Sequence, residues 1–328
     1  MKPSRCYAVP IMQCNFEEVE IQRINTEDTF YKITTCNEID GISDSVRDIG
    51  IINPPVLVNE KDRFTIVSGF RRIKAAIKNG FLRIPVKTIS SAKESIECAK
   101  IAISDNSFQR NLNQIEQARA IHLLTCFYRS PEEISDIAAG LGLPANPSII
   151  QKLITISRTD KHIQDYILSE TLSMTTALLI DKLHEKHKLP MARFIHSLNV
   201  GLNNQREVLI LLTEISKREN KDLLELLAEK SIADIINEPN REVRQKAAQI
   251  RKLLRKRRFP ELTKAEDTFS DCVKKLKLDQ SLKLLPPKDF EGTTYLFQIS
   301  FNSYEDLLRQ QIQLEEVIGN PILKQILK

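Results

Sequence analysis

The spacing of apolar positions changes about a third of the way along the chain. Up to residue 90, short alternating or continuous apolar runs stand between turn signals, the pattern of strands mixed with short helices. VEIQRI (19–24) and FYKITT (30–35) read as strands, the second with clear alternation. In NEIDGISDSVRDIG (37–50) apolar residues fall at 39, 42, 46 and 49, a helical spacing, and the run closes on Gly50. Asn53-Pro54-Pro55 then breaks the chain, and PVLVNEKDRFTIV reads as strand, polar turn, strand. IKAAIKNG is a short helix stopped by Asn79-Gly80, and IPVKTI (84–89) is another strand.

From about residue 92 the strand patterns stop. Residues 92–104 read as helix, and LNQIEQARAIHLLTCFY (112–128) as a long amphipathic helix. Short helices follow to about 230, punctuated at 130–133, 140–147, 168–173 and 189–190. Residues 237–262 form a basic helical stretch ending at RFPEL. Beyond it DTFSDCVKKLKL reads as helix, TTYLFQISF (293–301) as a lone strand, and YEDLLRQQIQLEEVIG (304–319) as helix. The pattern predicts an α+β protein: a small mixed α/β domain over 1–95, an all-helical domain over 96–235, and a basic helix with a small α/β region over 236–328.

Composition narrows the class without naming it. The 41% apolar and 28% charged residues are those of ordinary globular chains. No run reaches the roughly 18 apolar residues of a spanning helix, so no membrane partner is expected. Acidic and polar residues interrupt the first twenty before a signal-peptide core can form, which predicts a cytoplasmic protein. The cysteines at 6, 14, 36, 98, 126 and 272 are scattered, with no C-x-x-C, and predict reduced thiols rather than a zinc site or a disulfide framework. The net charge of +5 decides little, but its distribution is informative. Residues 61–90 hold eight Lys/Arg against one acid, and RKLLRKRR (251–258) holds six bases in eight positions. Two such clusters fit two contacts with polyanions, the alternative being solvated faces.

Three motifs carry chemistry. In VSGFRRIKA (67–75) a strand meets Gly69, then Arg71-Arg72, then a helix. Glycine admits a ligand close to the backbone, the first helical N–H groups lack internal acceptors, and adjacent arginines offer forked donors for phosphate. The set describes an anion cradle, though a plain turn needs only the glycine. In SDNSFQRNLNQIEQA (104–118), Asp105 and Asn106 offer oxygens to a divalent metal, and Gln109 and Arg110 can reach phosphate. Asn113 and Glu116 stand as an N-cap and its third helical residue, a capping pair. In SPEEISDIAAGLGLPANPSIIQKLITIS (130–157), Ser130 and Pro131 begin a helix and a glycine-containing turn leads to a second near Pro147. That is the helix-turn-helix pattern, whose second helix enters the DNA major groove. Asn146, Ser148, Gln151 and Lys152 are its outward candidates for base edges or phosphate. Residues 131–160 carry four acids against two bases, as an ordinary helical hairpin does.

The three motifs, in this order, resemble the ParB/Spo0J family of chromosome- and plasmid-partitioning proteins. Gly69-Phe70-Arg71-Arg72-Ile73-Lys74-Ala75 stands where that family has G-E-R-R-x-R-A, and GIINPPVLV resembles its preceding strand segment. Residues 105–118 echo E-N-x-Q-R…L-N-P-x-E-x-A, and LSETLSMTTALLI (168–180) its L-x-x-G-x-L-S-x-G-H-A-R-A-L-L. The resemblance covers about 40–185 and implies a ParB-like N-terminal domain holding CTP with Mg²⁺, joined to a helix-turn-helix that binds double-stranded DNA. Carried over by position, it assigns Gly69, Arg71, Arg72, Lys74, Asn106, Gln109 and Arg110 to nucleotide and Asp105 and Asn106 to metal. Phe70 replaces the family's acid, so at most a weak CTPase is implied, and Thr175-Thr176 replaces its Gly-His. The resemblance also implies a homodimer, formed through the C-terminal region, and a ParA-type ATPase partner. Arg255, Lys256, Arg257 and Arg258 are further candidates for DNA phosphates. Two other classes stay open on the residues alone: a phosphotransfer or nuclease enzyme on the same fold, and a helical adaptor without ligand.

Overall fold

The computed structural model describes residues 14–239 and 241–327. By compactness the chain separates into two units, divided between His196 and Ser197. Cys6 and the first thirteen residues of the N-terminal stretch discussed above lie outside the described residues.

The first unit opens with β1 (Cys14–Glu20), a 3₁₀ turn at Ile21–Arg23 and β2 (Ile24–Asn25). The strand expected over 19–24 therefore begins earlier and bends at Ile21, whose N–H donates to the Leu82 carbonyl at 3.0 Å. After a coil come α1 (Asp40–Ile49), β3 (Val56–Glu60), β4 (Arg63–Ser68), α2 (Phe70–Lys78) and β5 (Arg83–Ile89). The strands form one mixed sheet in the order β1-β5-β3-β4-β2, with β3 parallel to β5, β2 parallel to β4, and the remaining pairs antiparallel. Phe64 and Ile66 of β4, with Leu57, Ile84 and Val86, pack against Ile73 and Ala76 of α2. The alternate residues of β4 face the other way, where α3 (Ile96–Ser107) covers the sheet.

FYKITT is not a strand. Residues 30–35 run as a turn and coil in which Tyr31 and Ile33 are buried, so the alternation is real but no ladder forms. Side chains take its backbone groups instead. The Thr35 N–H donates to Glu116 Oε1 at 2.9 Å, and Arg119 Nη1 donates to the Thr34 carbonyl at 3.0 Å. These partners belong to α4 (Gln114–Leu124), which begins on a capping box between Asn113 and Glu116.

The helix-turn-helix follows as α5 (Pro131–Ala138) and α6 (Pro147–Ser157). Ser130 caps α5 and Pro131 occupies its first turn; Asn146 caps α6 and Pro147 its first turn. Between them Gly142 adopts φ 71°, and a Cβ there would lie 3.2 Å from Ser107 Cβ, so the turn seats tightly on the end of α3. Then α7 (Lys161–Leu168), α8 (Met174–Ile180) and α9 (Glu185–Leu198) follow. Pro190, expected to punctuate, lies inside α9, where it forfeits one backbone hydrogen bond without ending the helix.

The second unit contains α10 (Leu202–Glu219), α11 (Leu223–Ala228), α12 (Lys230–Asn237), α13 (Val243–Arg258), α14 (Pro260–Leu276), β6 (Leu282–Leu285), β7 (Leu296–Ile299), α15 (Tyr304–Gly319) and α16 (Pro321–Ile326). The basic stretch is α13, and helix restarts at once with Pro260 at the first position of α14. The strand expected to stand alone does not: β7 pairs antiparallel with β6, from Leu282 opposite Ile299 to Leu285 opposite Leu296. LKLL is too short a run to announce itself, yet Leu282 and Leu284 face a core with Leu276, Val317 and Leu323.

Candidate functional site

Where β4 ends and α2 begins, the backbone turns through Gly69 at φ 96° and ψ 21°. A Cβ at this position would lie 2.6 Å from Pro55 Cβ and 2.9 Å from Pro55 Cα. The Asn53-Pro54-Pro55 break and the glycine are thus two halves of one close approach, and only glycine satisfies both the space and the left-handed backbone. Gly69 caps α2 without a side chain, so the first N–H groups of the helix have no side-chain acceptor.

These groups border a cleft of about 280 Å³. Gly69, Phe70, Arg71 and Arg72 form one wall, and Asp105, Asn106, Gln109 and Arg110, from the end of α3 and just beyond, form another. Ile33, Thr34, Ile42, Asn53 and Ser68 complete the lining. Seven of the residues singled out in the sequence therefore meet at one place. Lys74 does not join them: it is exposed one turn further along α2, outside the cleft lining.

The charged groups of the cleft rest on protein partners. Arg71 Nε and Nη2 donate to the Glu38 carbonyl at 3.0 and 2.7 Å. Arg72 donates to the carbonyls of Asn53 and Pro54, and its Nη2 lies 3.1 Å from Asp105 Oδ2. Asp105 also accepts from Ser68 Oγ and, through Oδ1, from Gln109 Nε2 at 2.9 Å. Asn106 Nδ2 donates to the Ala102 carbonyl at 2.8 Å, which leaves its oxygen open. Arg110 is committed elsewhere, in a bidentate pair with buried Glu116 at 2.6 and 2.7 Å. Burial alone would raise the Glu116 carboxyl, but the Arg110 guanidinium and the N–H groups of Thr35 and Asn113 hold it below its ordinary range. Glu116 thus does more than cap α4: it ties the 33–35 segment to the cleft. Phe70 packs partly against the sheet core, so no carboxylate stands at that position.

Ser68, Asn53 and Thr34 were not legible as site residues. Ser68 carried the clearest signal, since it stands immediately before Gly69 at the end of a buried strand. Asn53 contributes a backbone carbonyl, which no side-chain pattern announces.

On α6 the outward face holds Ser148, Gln151 and Lys152, all exposed. The Asn146 side chain is occupied by capping, its Oδ1 accepting from the Ser148 and Ile149 N–H groups at 2.9 and 3.3 Å. In the second unit the basic run of α13 is largely answered by acids. Arg255 pairs with Glu266 at 2.7 Å and Arg258 with Glu214 at 2.7 Å. Arg257 sits between Glu219, at 2.5 Å, and Glu229. Its hydrogen bonds hold both carboxyls down to about 2. Lys256 is exposed. Among the described residues, no group of three or more His, Cys, Asp or Glu is arranged to hold a metal, and no helix is long and apolar enough to cross a membrane.

Residues 10–106 match the ParB N-terminal domain family. The chain is 24% identical over 198 residues to a probable chromosome-partitioning protein ParB of Helicobacter pylori, covering 58% of this chain and 59% of that protein. It is 27% identical over 212 residues to the nucleoid occlusion protein of Bacillus cereus, covering 63% of this chain and 71% of that one. The chain therefore spans little more than half the length of the Helicobacter relative. A solved structure of C-terminally truncated ParB from Caulobacter crescentus, complexed with CTP-γ-S, is 22% identical and covers 55% of this chain and 98% of that one, with a TM-score of 0.27. Residues 10–106 thus resemble the ParB N-terminal domain family, and the similarity to these relatives extends beyond that segment.

Proposed function

We propose that this chain is a DNA-binding protein of chromosome or plasmid partitioning, or of a related transcriptional role, whose ParB N-terminal domain binds a CTP-type nucleotide at Gly69. One observation carries the nucleotide reading: residues of two motifs, with Arg72 and Asp105 33 positions apart in sequence, wall a single cleft rich in phosphate donors. Arg71 and Arg72 now rest mainly on neutral carbonyls, and phosphate oxygens are stronger partners for a guanidinium. Both arginines can exchange those contacts for a triphosphate.

The residues fit Mg²⁺ only in company with the nucleotide. Asp105 is the carboxylate of the cleft lining, with the Asn106 oxygen beside it in sequence. Magnesium characteristically uses one or two carboxylates together with substrate phosphates, which is what this donor set permits. The ion would neutralise phosphate charge. With Phe70 in place of an acid, Asp105 has no second carboxylate to assist it, and we expect binding with slow turnover at most.

The α6 face of Ser148, Gln151 and Lys152 is the surface for double-stranded DNA, with Lys256 of α13 a further phosphate contact. Arg255, Arg257 and Arg258 must first leave their carboxylates to join it. Each strand of the β6–β7 hairpin has one unpaired edge, which supports a homodimer through the second unit. A ParA-type ATPase is the expected partner, and the nucleoid or plasmid within the cytoplasm the expected location. Equilibrium binding of labelled CTP and ATP, with Mg²⁺ and DNA present, tests the cleft. CTP should bind, and Arg71→Ala and Arg72→Ala should each abolish binding at concentrations that saturate the wild type. Failure of both nucleotides to bind at millimolar concentration removes the nucleotide reading.

A further inference from the structure

A second cleft of the first unit, of about 290 Å³, shares Ile33 with the nucleotide cleft but is lined on other sides by Lys32, Arg119, His122 and Ser157. Lys32 and Arg119 are half-buried there. Their hydrogen-bond partners are neutral: Asn37 Oδ1 at 3.3 Å for Lys32, and the Thr34 carbonyl at 3.0 Å for Arg119. Burial and the nearby charges of Lys74, Arg119 and Lys161 push the Lys32 ammonium below its ordinary value. Neither Lys32, Lys74, Arg119 nor Lys161 has a carboxylate within ion-pair distance among the described residues. Elsewhere in the same unit the half-buried Arg72 and Lys188 do pair with carboxylates, Asp105 and Asp181. Partly buried like charges left unanswered cost stability, and an anion entering the cleft offsets that cost.

Location identifies the anion. Ser157 is the last residue of α6, and Arg158 and Lys161 are exposed just beyond it. An eleven-residue helix is about 16 Å long, and the major groove is about 12 Å wide. With the start of α6 in the groove, its far end projects to the phosphates that border it. We propose that the Lys32–Arg119 cleft, with Lys74 and Lys161, takes a backbone phosphate of duplex DNA, so that the ParB N-terminal domain itself touches the DNA that α6 reads. Lys74, which the sequence grouped with the nucleotide motif, acts on DNA in this arrangement. The inference rests on the DNA-binding reading of α6.

The test is the salt dependence of binding by the full chain to two duplexes, one enriched by the wild type from random genomic fragments and one unrelated. Lys32→Gln and Lys161→Gln should each lower the slope of log K against log salt by about 0.9. Affinity should fall for both duplexes alike, and CTP affinity should be unchanged. Lys32→Gln removes repulsion, so its melting temperature without DNA should be no lower than that of the wild type. Exposed Lys161 supplies a variant whose folding is not at risk. Wild-type binding with unaltered slopes in both variants overturns this inference alone, as does loss of CTP affinity in place of DNA affinity. A wild type that binds no duplex overturns the DNA reading and this inference together.

Discussion

Gly69 and Asp105 set the terms of the cleft proposed for nucleotide, residue by residue. Any side chain at 69 meets the Pro55 backbone and must also hold a left-handed conformation. Gly69→Ala should cost on the order of 1–3 kcal/mol from backbone strain alone, read as a lower denaturant midpoint, and should abolish nucleotide binding with it. Asp105 has the opposite character, since it restrains Arg72 through a contact at 3.1 Å. Asp105→Asn should therefore raise nucleotide affinity in the presence of a chelator while erasing the gain that Mg²⁺ gives the wild type. Unchanged metal dependence in a calorimetric titration would remove Asp105 from the metal site. At this scale the sequence was informative because glycine, paired arginines and an acid each have few structural uses. It was blind to Ser68 and Asn53, which act through a hydroxyl under the cleft and a carbonyl.

Between elements, contacts from distant parts of the chain decide the outcome. The FYKITT segment has the alternation of a strand, and Tyr31 and Ile33 are buried as that predicts. It joins no ladder because Glu116 and Arg119, more than 80 positions away, occupy its backbone groups. Glu116→Ala removes its half of the α4 capping box, the Arg110 pair and the Thr35 anchor together, and should cost about 2 kcal/mol or more, again by denaturant midpoint. The pairing of α13 was equally unreadable, since Glu214, Glu219 and Glu229 precede their arginines by 28–44 positions. With Glu219 and Glu229 held at about 2 by Arg257, their contribution is complete above the ordinary carboxylate value of 4.5 and lost as pH falls toward 2. Acid titration followed by circular dichroism should show part of the helical signal lost in that window. Arg257→Met should lower stability at neutral pH and flatten the loss.

For the molecule as a whole, the order of motifs was the legible part. A strand–glycine–arginine turn, an Asp-Asn…Gln-Arg helix end and a helix-turn-helix follow one another in the sequence, and the first two converge on one cleft. The α+β class followed from the change in apolar spacing alone. The β6–β7 hairpin and the neutralised charges of α13 did not, because short strands and long-range ion pairs leave no periodic trace. The account joins a nucleotide cleft to a DNA-reading helix in one chain, and the most direct measurement of that claim is selection of DNA. The full chain, incubated with random genomic fragments with and without CTP and Mg²⁺, is recovered and its bound DNA sequenced. The account predicts enrichment of a defined site that Gln151→Ala weakens and a recovered population that changes with CTP. Recovery no different from the input pool, with or without CTP, would contradict it.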